Sequence, residues 1–231
     1  MTMWILFIGA LLISLLAAAR VKSNYHRFSR LPARSGISGA EAAQEILHGA
    51  GIRDVEVVAQ DGMLSDHYDP LHKRLVLSSD NYFGRSVAAL GIAAHEAGHA
   101  MQHARGYLPL QLRMASIGLT TFASQLVMWL PILGMFTGLL STYTGLAVIA
   151  AGWGVIMAFN LITLPVEFDA SRRARQVLLG MGLVNRGAEA AGVDKVLNAA
   201  AWTYVAAFLT SLAYFLSYLL PLLNADRRQE Q

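Results

Sequence analysis

The feature that constrains this chain most is a silence: from Met114 to Val166, 53 residues pass without one Asp, Glu, Lys, Arg or His. A hydrocarbon core of about 30 Å needs roughly 20 apolar residues as a helix, so this run is long enough for two crossings. Its break is expected at Gly138 to Gly145, where Gly, Ser and Thr flank Tyr143, leaving spans of about 115–136 and 146–165. Two more uncharged stretches, Met1–Ala19 and the 30 residues of Val196–Ala225, supply one crossing each. Composition agrees, with 55% hydrophobic and 14% charged residues against about 25% charged in an ordinary soluble domain.

The first stretch has no basic flank ahead of its apolar run and only an imperfect cleavage pattern at Ala17-Ala18-Ala19, so it reads as an uncleaved anchor. Four spans put both termini on one side. The segment from Arg20 to Arg113 holds 11 basic residues and that from Glu167 to Lys195 holds 5, against 2 in the tail, so these two loops are expected in the cytoplasm and the termini outside. Basic loops of this kind account for the net charge of +3 without a nucleic-acid partner, since no basic cluster is interleaved with aromatics. With no cysteine, disulfides, thiol catalysis and Cys-ligated metals are excluded.

The expected fold is a mainly α membrane protein: about four transmembrane helices plus a small cytoplasmic α+β unit with a short β-meander and an HExxH helix. Residues 1–19 form transmembrane helix 1, 20–113 the α+β unit, and 114–166 transmembrane helices 2 and 3. Residues 167–195 form a cytoplasmic helical segment, 196–225 transmembrane helix 4 and 226–231 a short polar tail. Within 20–113, Ser35 to Gly39 can cap a helix running through His48, which Gly49 and Gly51 stop. Strands are expected at 55–58, 65–68 and 74–78, separated by turns at Gln60-Asp61-Gly62 and Asp69-Pro70. An alanine-rich helix follows from about Asn81 to Arg105. In the second loop a helix reaches Leu179, breaks at Gly180-Met181-Gly182, and a new helix from about Val193 runs into the last span.

The alanine-rich helix carries His95-Glu96-Ala97-Gly98-His99, an HExxH motif. Two histidines four residues apart differ by about 40° around a helix, so both imidazoles can reach one tetrahedral Zn2+. Glu96 stands at the edge of that face, where it can act as general base toward an attacking water. His103 lies eight residues beyond His95, about 12 Å along a straight helix, and reads as a surface or packed histidine. A third ligand is better sought on another helix. Glu167, the first charge after the 53 uncharged residues, completes a His2Glu set of the kind catalytic zinc uses; the alternative is a solvated carboxylate marking the membrane boundary. Asp169 is a candidate acceptor for an imidazole N–H, or a partner for Arg172 or Arg173. Arg173 and Tyr107 are candidates for stabilising the oxyanion, with topology determination the competing role of the arginines.

Several runs carry a family resemblance: Asp66-His67-Tyr68-Asp69-Pro70, Leu77-Ser78, Ala93 through His103, Leu164 through Ala174, and Leu197 through Val205. Over nearly the whole chain they resemble the YugP-type neutral zinc metallopeptidases of bacterial membranes. The resemblance implies a membrane-bound gluzincin with His95, His99 and Glu167 as zinc ligands and Glu96 as base. A looser similarity to HtpX-type membrane peptidases implies a site facing the cytoplasm and a part in protein quality control. One departure is visible: many gluzincins carry Asp four residues after the ligand Glu, where this chain has Ser171.

The expected activity is hydrolysis of peptide bonds in membrane or membrane-proximal proteins, in the inner or plasma membrane, with an extended peptide adding to the edge of the meander at Arg74 to Ser78. Two other readings compete. Cleavage inside the bilayer is opposed by Arg85 and Arg105, which bracket an uncharged stretch too short to span. A non-catalytic membrane scaffold retaining zinc would have no need of Glu96.

Overall fold

The computed structural model describes residues 2–62, 65–139 and 142–229, with side chains over 5–62, 65–139 and 142–223. Residues 140–141 of the expected break and the last two residues of the tail lie outside the described residues. The chain divides into two compact units: Ala17–Gln111 with Pro165–Thr203, and Met1–Leu16 with Leu112–Leu164 and Tyr204–Gln231.

The first of these, the polar unit, is built on α2 (Gly39–Gly49), β1 (Glu56–Gln60), β2 (His67–Asp69), β3 (Arg74–Ser78), the short α3 (Ser79–Tyr82) and α4 (Val87–Ala104). Ser38 caps α2: its Oγ accepts the Glu41 N–H at 3.2 Å while the Glu41 carboxylate accepts the Ser38 N–H at 2.6 Å. This reciprocal pair satisfies two of the donors a helix start leaves open. Ser86 caps α4 in the same position, accepting from the Ala89 N–H at 3.2 Å. The core packs Ile46 and Leu47 of α2, Leu75 and Leu77 of β3 and Leu90 of α4 against Leu178 and Leu197.

The sheet is not a meander. Its order is β1-β3-β2, with β1 parallel to β3 (Glu56↔Arg74 through Gln60↔Ser78) and β2 antiparallel to it (His67↔Val76). The physical reason lies in the loop before β2. Asp61 accepts from Ser79 Oγ at 2.9 Å, and Asp66 accepts from the Ser78 N–H at 2.8 Å and Asn81 Nδ2 at 2.9 Å. These bonds draw the chain across the end of β3, so β2 pairs on its far side. Asp69 then closes the β2–β3 turn by accepting the Leu71 and His72 N–H groups at 2.9 and 3.2 Å. In consequence β3 is the central strand, and the edge expected for a peptide at Arg74 to Ser78 does not exist.

Among the described residues, four helices are long and apolar enough to cross a membrane: Ile5–Phe28, Leu108–Thr137, Tyr143–Gly180 and Ala188–Leu223. They belong to α1 (Thr2–Phe28), α5 (Leu108–Thr137), α6 (Tyr143–Gly180) and α7 (Ala188–Gln229). Each runs past the uncharged stretch that announced it, because helix formation does not stop where hydropathy does. Breaks come at glycines with positive φ: Gly138 (70°) after α5, and Gly182 (69°) and Gly187 (106°) between α6 and α7. Between 6% and 22% of the residues in the four apolar windows are buried, a pattern suited to lipid rather than water as surroundings. Inside the apolar unit Trp153 stacks on Tyr214 with centroids 4.5 Å apart, and Asn160 Nδ2 donates to the Ala207 carbonyl at 3.2 Å and to Ser211 Oγ at 3.0 Å.

Candidate metal centre

All the residues of the candidate site belong to the polar unit, on α4, on the stretch of α6 after Leu164, and on the turn between α4 and α5. Close approach of α4 to α6 depends on Gly98. A Cβ there would lie 2.8 Å from the Ala170 carbonyl oxygen and 3.2 Å from Ala170 Cα, so no larger residue fits without moving a backbone.

That contact brings His95, His99 and Glu167 together, with one ligand atom from each within 4.8 Å of the others. His95 Nε2 lies 3.2 Å and His99 Nε2 3.7 Å from Glu167 Oε2, and the two rings meet edge to face, 4.8 Å between centroids. Glu167 is 2% exposed. An anion so deeply buried needs compensating charge. Both imidazoles aim at it, a donor set that fits a divalent cation of the zinc class. Burial alone would lower the pKa of His99, but its hydrogen bond to Glu167 and the negative charges of Glu96 and Glu167 outweigh that and raise it. Glu96 is 8% exposed, and among the described residues no hydrogen bond or ion pair holds its carboxylate.

The far nitrogens of the two rings have different partners. His99 Nδ1 meets Gln102 Oε1 at 3.0 Å, and Gln102 Nε2 donates to the Val166 carbonyl at 2.8 Å and to Asp169 Oδ2 at 2.9 Å. Two acceptors at Nε2 fix which way the amide faces, so its oxygen must accept from His99 and the proton of His99 sits on Nδ1. Nε2, the other ring nitrogen, is the one that faces Glu167. His95 Nδ1 meets Ser171 Oγ at 3.2 Å.

Neither Gln102 nor Ser171 was singled out as a support from sequence. Helical arithmetic could have found Ser171, which is four residues and about 40° from Glu167 and so shares its face. Asp169 is two residues and about 200° away. It does not meet an imidazole; it accepts from Gln102, from Arg172, and from Arg173 Nε at 2.5 Å. Arg173 is therefore committed to Asp169, with its guanidinium 6.0 Å from the centre of the Tyr107 ring. The Tyr107 hydroxyl faces the Pro165 carbonyl at 3.5 Å, not the histidines.

His103 lies on the flank of α4, where Nδ1 meets the Tyr68 hydroxyl at 2.8 Å. Burial, reinforced by Asp54 and Asp69, pushes that hydroxyl up to about 12. The pair ties strand β2 to α4 beside a cavity of about 240 Å3 that Asp54, Lys73 and Ala100 also line.

The sequence family described as "Putative neutral zinc metallopeptidase" matches residues 3–223. A curated relative, "Putative membrane protease YugP" of Bacillus subtilis (strain 168), is 44% identical over 224 residues, covering 95% of this chain and 96% of its own. No solved structure matches the chain.

Proposed function

The chain belongs to the neutral zinc metallopeptidase family, and from that premise we propose that it is a membrane-bound peptidase in which His95, His99 and Glu167 hold the zinc and Glu96 is the general base. The observation that carries this reading is the convergence of those three ligand atoms within 4.8 Å around a nearly solvent-free carboxylate. A zinc ion held there would supply Lewis acidity toward a peptide carbonyl and toward water. Gln102 and Ser171 hold the two imidazoles in register from behind. Glu96 takes a proton from the attacking water as the C–O bond forms, and returns it to the amine nitrogen as the C–N bond breaks.

An extended peptide would add to β2, an outer strand of the sheet, which Tyr68 and His103 fasten to α4. The excess of Lys and Arg in the two loops supports a site facing the cytoplasm. Glu167 follows directly on 53 uncharged residues, which supports membrane proteins, or their segments near the membrane, as substrates. The looser similarity to HtpX-type peptidases supports a part in protein quality control.

The test is metal content by mass spectrometry beside casein cleavage, on wild type, Glu167→Ala and Glu96→Gln. About one zinc per chain is expected in wild type, falling sharply in Glu167→Ala. Glu96→Gln should keep its zinc while cleavage drops roughly a hundredfold to ten-thousandfold. Zinc retained in Glu167→Ala would move the third ligand elsewhere, and cleavage retained in Glu96→Gln would remove the general base.

A further inference from the structure

A cavity of about 430 Å3 lies within the polar unit between the end of α1 and the first turns of α7. Its lining pairs three cations, Arg27, Arg30 and Lys195, with an apolar floor that includes Phe28, Leu31 and Gly192. The floor is set by close packing: a Cβ on Gly192 would stand 2.8 Å from the Phe28 ring and 2.9 Å from Val87. Among the described residues, no carboxylate lines it.

The three cations are exposed, and among the described residues none makes an ion pair. The two nearest acids along α7 are engaged elsewhere. Glu189 accepts the Arg34 N–H at 3.1 Å and the Asn185 N–H at 2.8 Å, and Asp194 pairs with Arg175 at 2.7 Å. Like charges gathered without a counterion repel one another, and an anion placed among them relieves that repulsion.

The position of the cavity along the chain says which anion. Lys195 is the last residue before the uncharged run of α7, and Arg27 stands seven residues past Arg20, where the uncharged run of α1 has ended. Seven residues of helix are about 10 Å. Both ends of the lining thus come from helix segments that adjoin a candidate membrane crossing, which brings them within reach of lipid headgroups. Basic pockets beside membrane helices recognise anionic headgroups by charge, while apolar walls take up the first carbons of the chains.

We infer that this cavity binds the phosphate of an anionic phospholipid, with Arg27, Arg30 and Lys195 around the phosphodiester and Phe28 and Leu31 against its glycerol and acyl carbons. The inference does not depend on the assignment of zinc ligands. The full chain, purified in an uncharged detergent, would be titrated with dioctanoyl phosphatidylglycerol, dioctanoyl phosphatidylcholine and inorganic phosphate, following thermal protection. Saturable protection by the phosphatidylglycerol alone is expected. Combining Arg27→Ala, Arg30→Ala and Lys195→Ala should weaken it on the order of a hundredfold, at about a fivefold loss for each charge, while Arg53→Ala leaves it unchanged.

Equal protection by phosphatidylcholine would overturn the assignment, and protection by phosphate alone would make this a free-anion site rather than a lipid one. Wild-type affinity in the triple variant would overturn it too. Should the triple variant not fold, the single exposed substitution Lys195→Ala carries the same test at about fivefold, with Lys195→Arg expected to restore binding.

Discussion

The polar unit buries a cluster of charged and hydrogen-bonding side chains, whereas the apolar unit turns many of its large hydrophobic ones outward. Glu96, His99, Gln102, Glu167, Asp169 and Ser171 are all buried in the first, whereas Phe122, Met135 and Phe136 stand exposed in the second. Among the described residues, the buried polar side chains of the apolar unit are Thr163 and Ser211. Water as solvent rewards burying apolar groups; lipid does not, so helices there are held by close packing and a few interhelical bonds. A buried polar cluster is costly when any member loses its partner. Substitutions in the polar unit should therefore cost more than comparable ones in the apolar unit.

The sharpest form of that comparison lies within the site. Gln102→Leu strips His99 Nδ1–H of its acceptor and Asp169 of a donor, both in buried surroundings. Loss of such an outer partner typically lowers metal affinity tenfold to a hundredfold. Ser171→Ala removes one 3.2 Å contact from His95 and should cost less than tenfold. Zinc competition against a chelator checks both. Equal losses in the two variants would mean that the imidazoles are supported alike and that the Asp169–Gln102–His99 chain holds no special place.

Two glycines extend the test from the site to the whole molecule. Gly98→Ala drives a methyl into the Ala170 backbone, which cannot rotate away, and α4 must part from α6. Overpacking of this kind costs about 1–3 kcal/mol, more than the gain in helix propensity of up to about 1 kcal/mol returns. In the apolar unit, a Cβ at Gly152 would also come close, 2.6 Å from Val127 Cγ1, but that is the end of a side chain with other rotamers. Gly152→Ala should therefore leave thermal stability in detergent nearly unchanged, while Gly98→Ala lowers the melting temperature and weakens zinc binding together. The reverse order would refute the contrast between rigid backbone and yielding side chain.

The same division explains what could be read from the sequence. Elements announced by local chemistry came out close to expectation: the Ser38 cap of α2, strand β3 at Arg74–Ser78, and the α4 helix bearing HExxH. Convergence of Glu167 on the histidines was anticipated from ligand arithmetic. The sheet order was not, because it depends on Asp66 and Asp61 reaching across the end of β3 to Ser78, Asn81 and Ser79, contacts between residues 12 to 18 apart. Gln102 was missed for a related reason: its role needs both Val166 and Asp169, more than 60 residues away, and nothing in its own neighbourhood announces them.

The smallest expected effect tests the other side of the comparison. Asn160 is the polar residue whose Nδ2 reaches across from α6 to Ala207 and Ser211 of α7. In the core of a water-soluble protein, losing two such bonds at once would weigh heavily. In a membrane helix pair each such interaction averages about 0.6 kcal/mol, because the separated helices find other partners. Asn160→Leu should therefore lower the thermal midpoint only slightly and leave zinc content and cleavage as in wild type. A loss as large as that of Gly98→Ala would mean that polar bonds, not packing, hold the apolar unit together, and the distinction between the two units would fail at its weaker end.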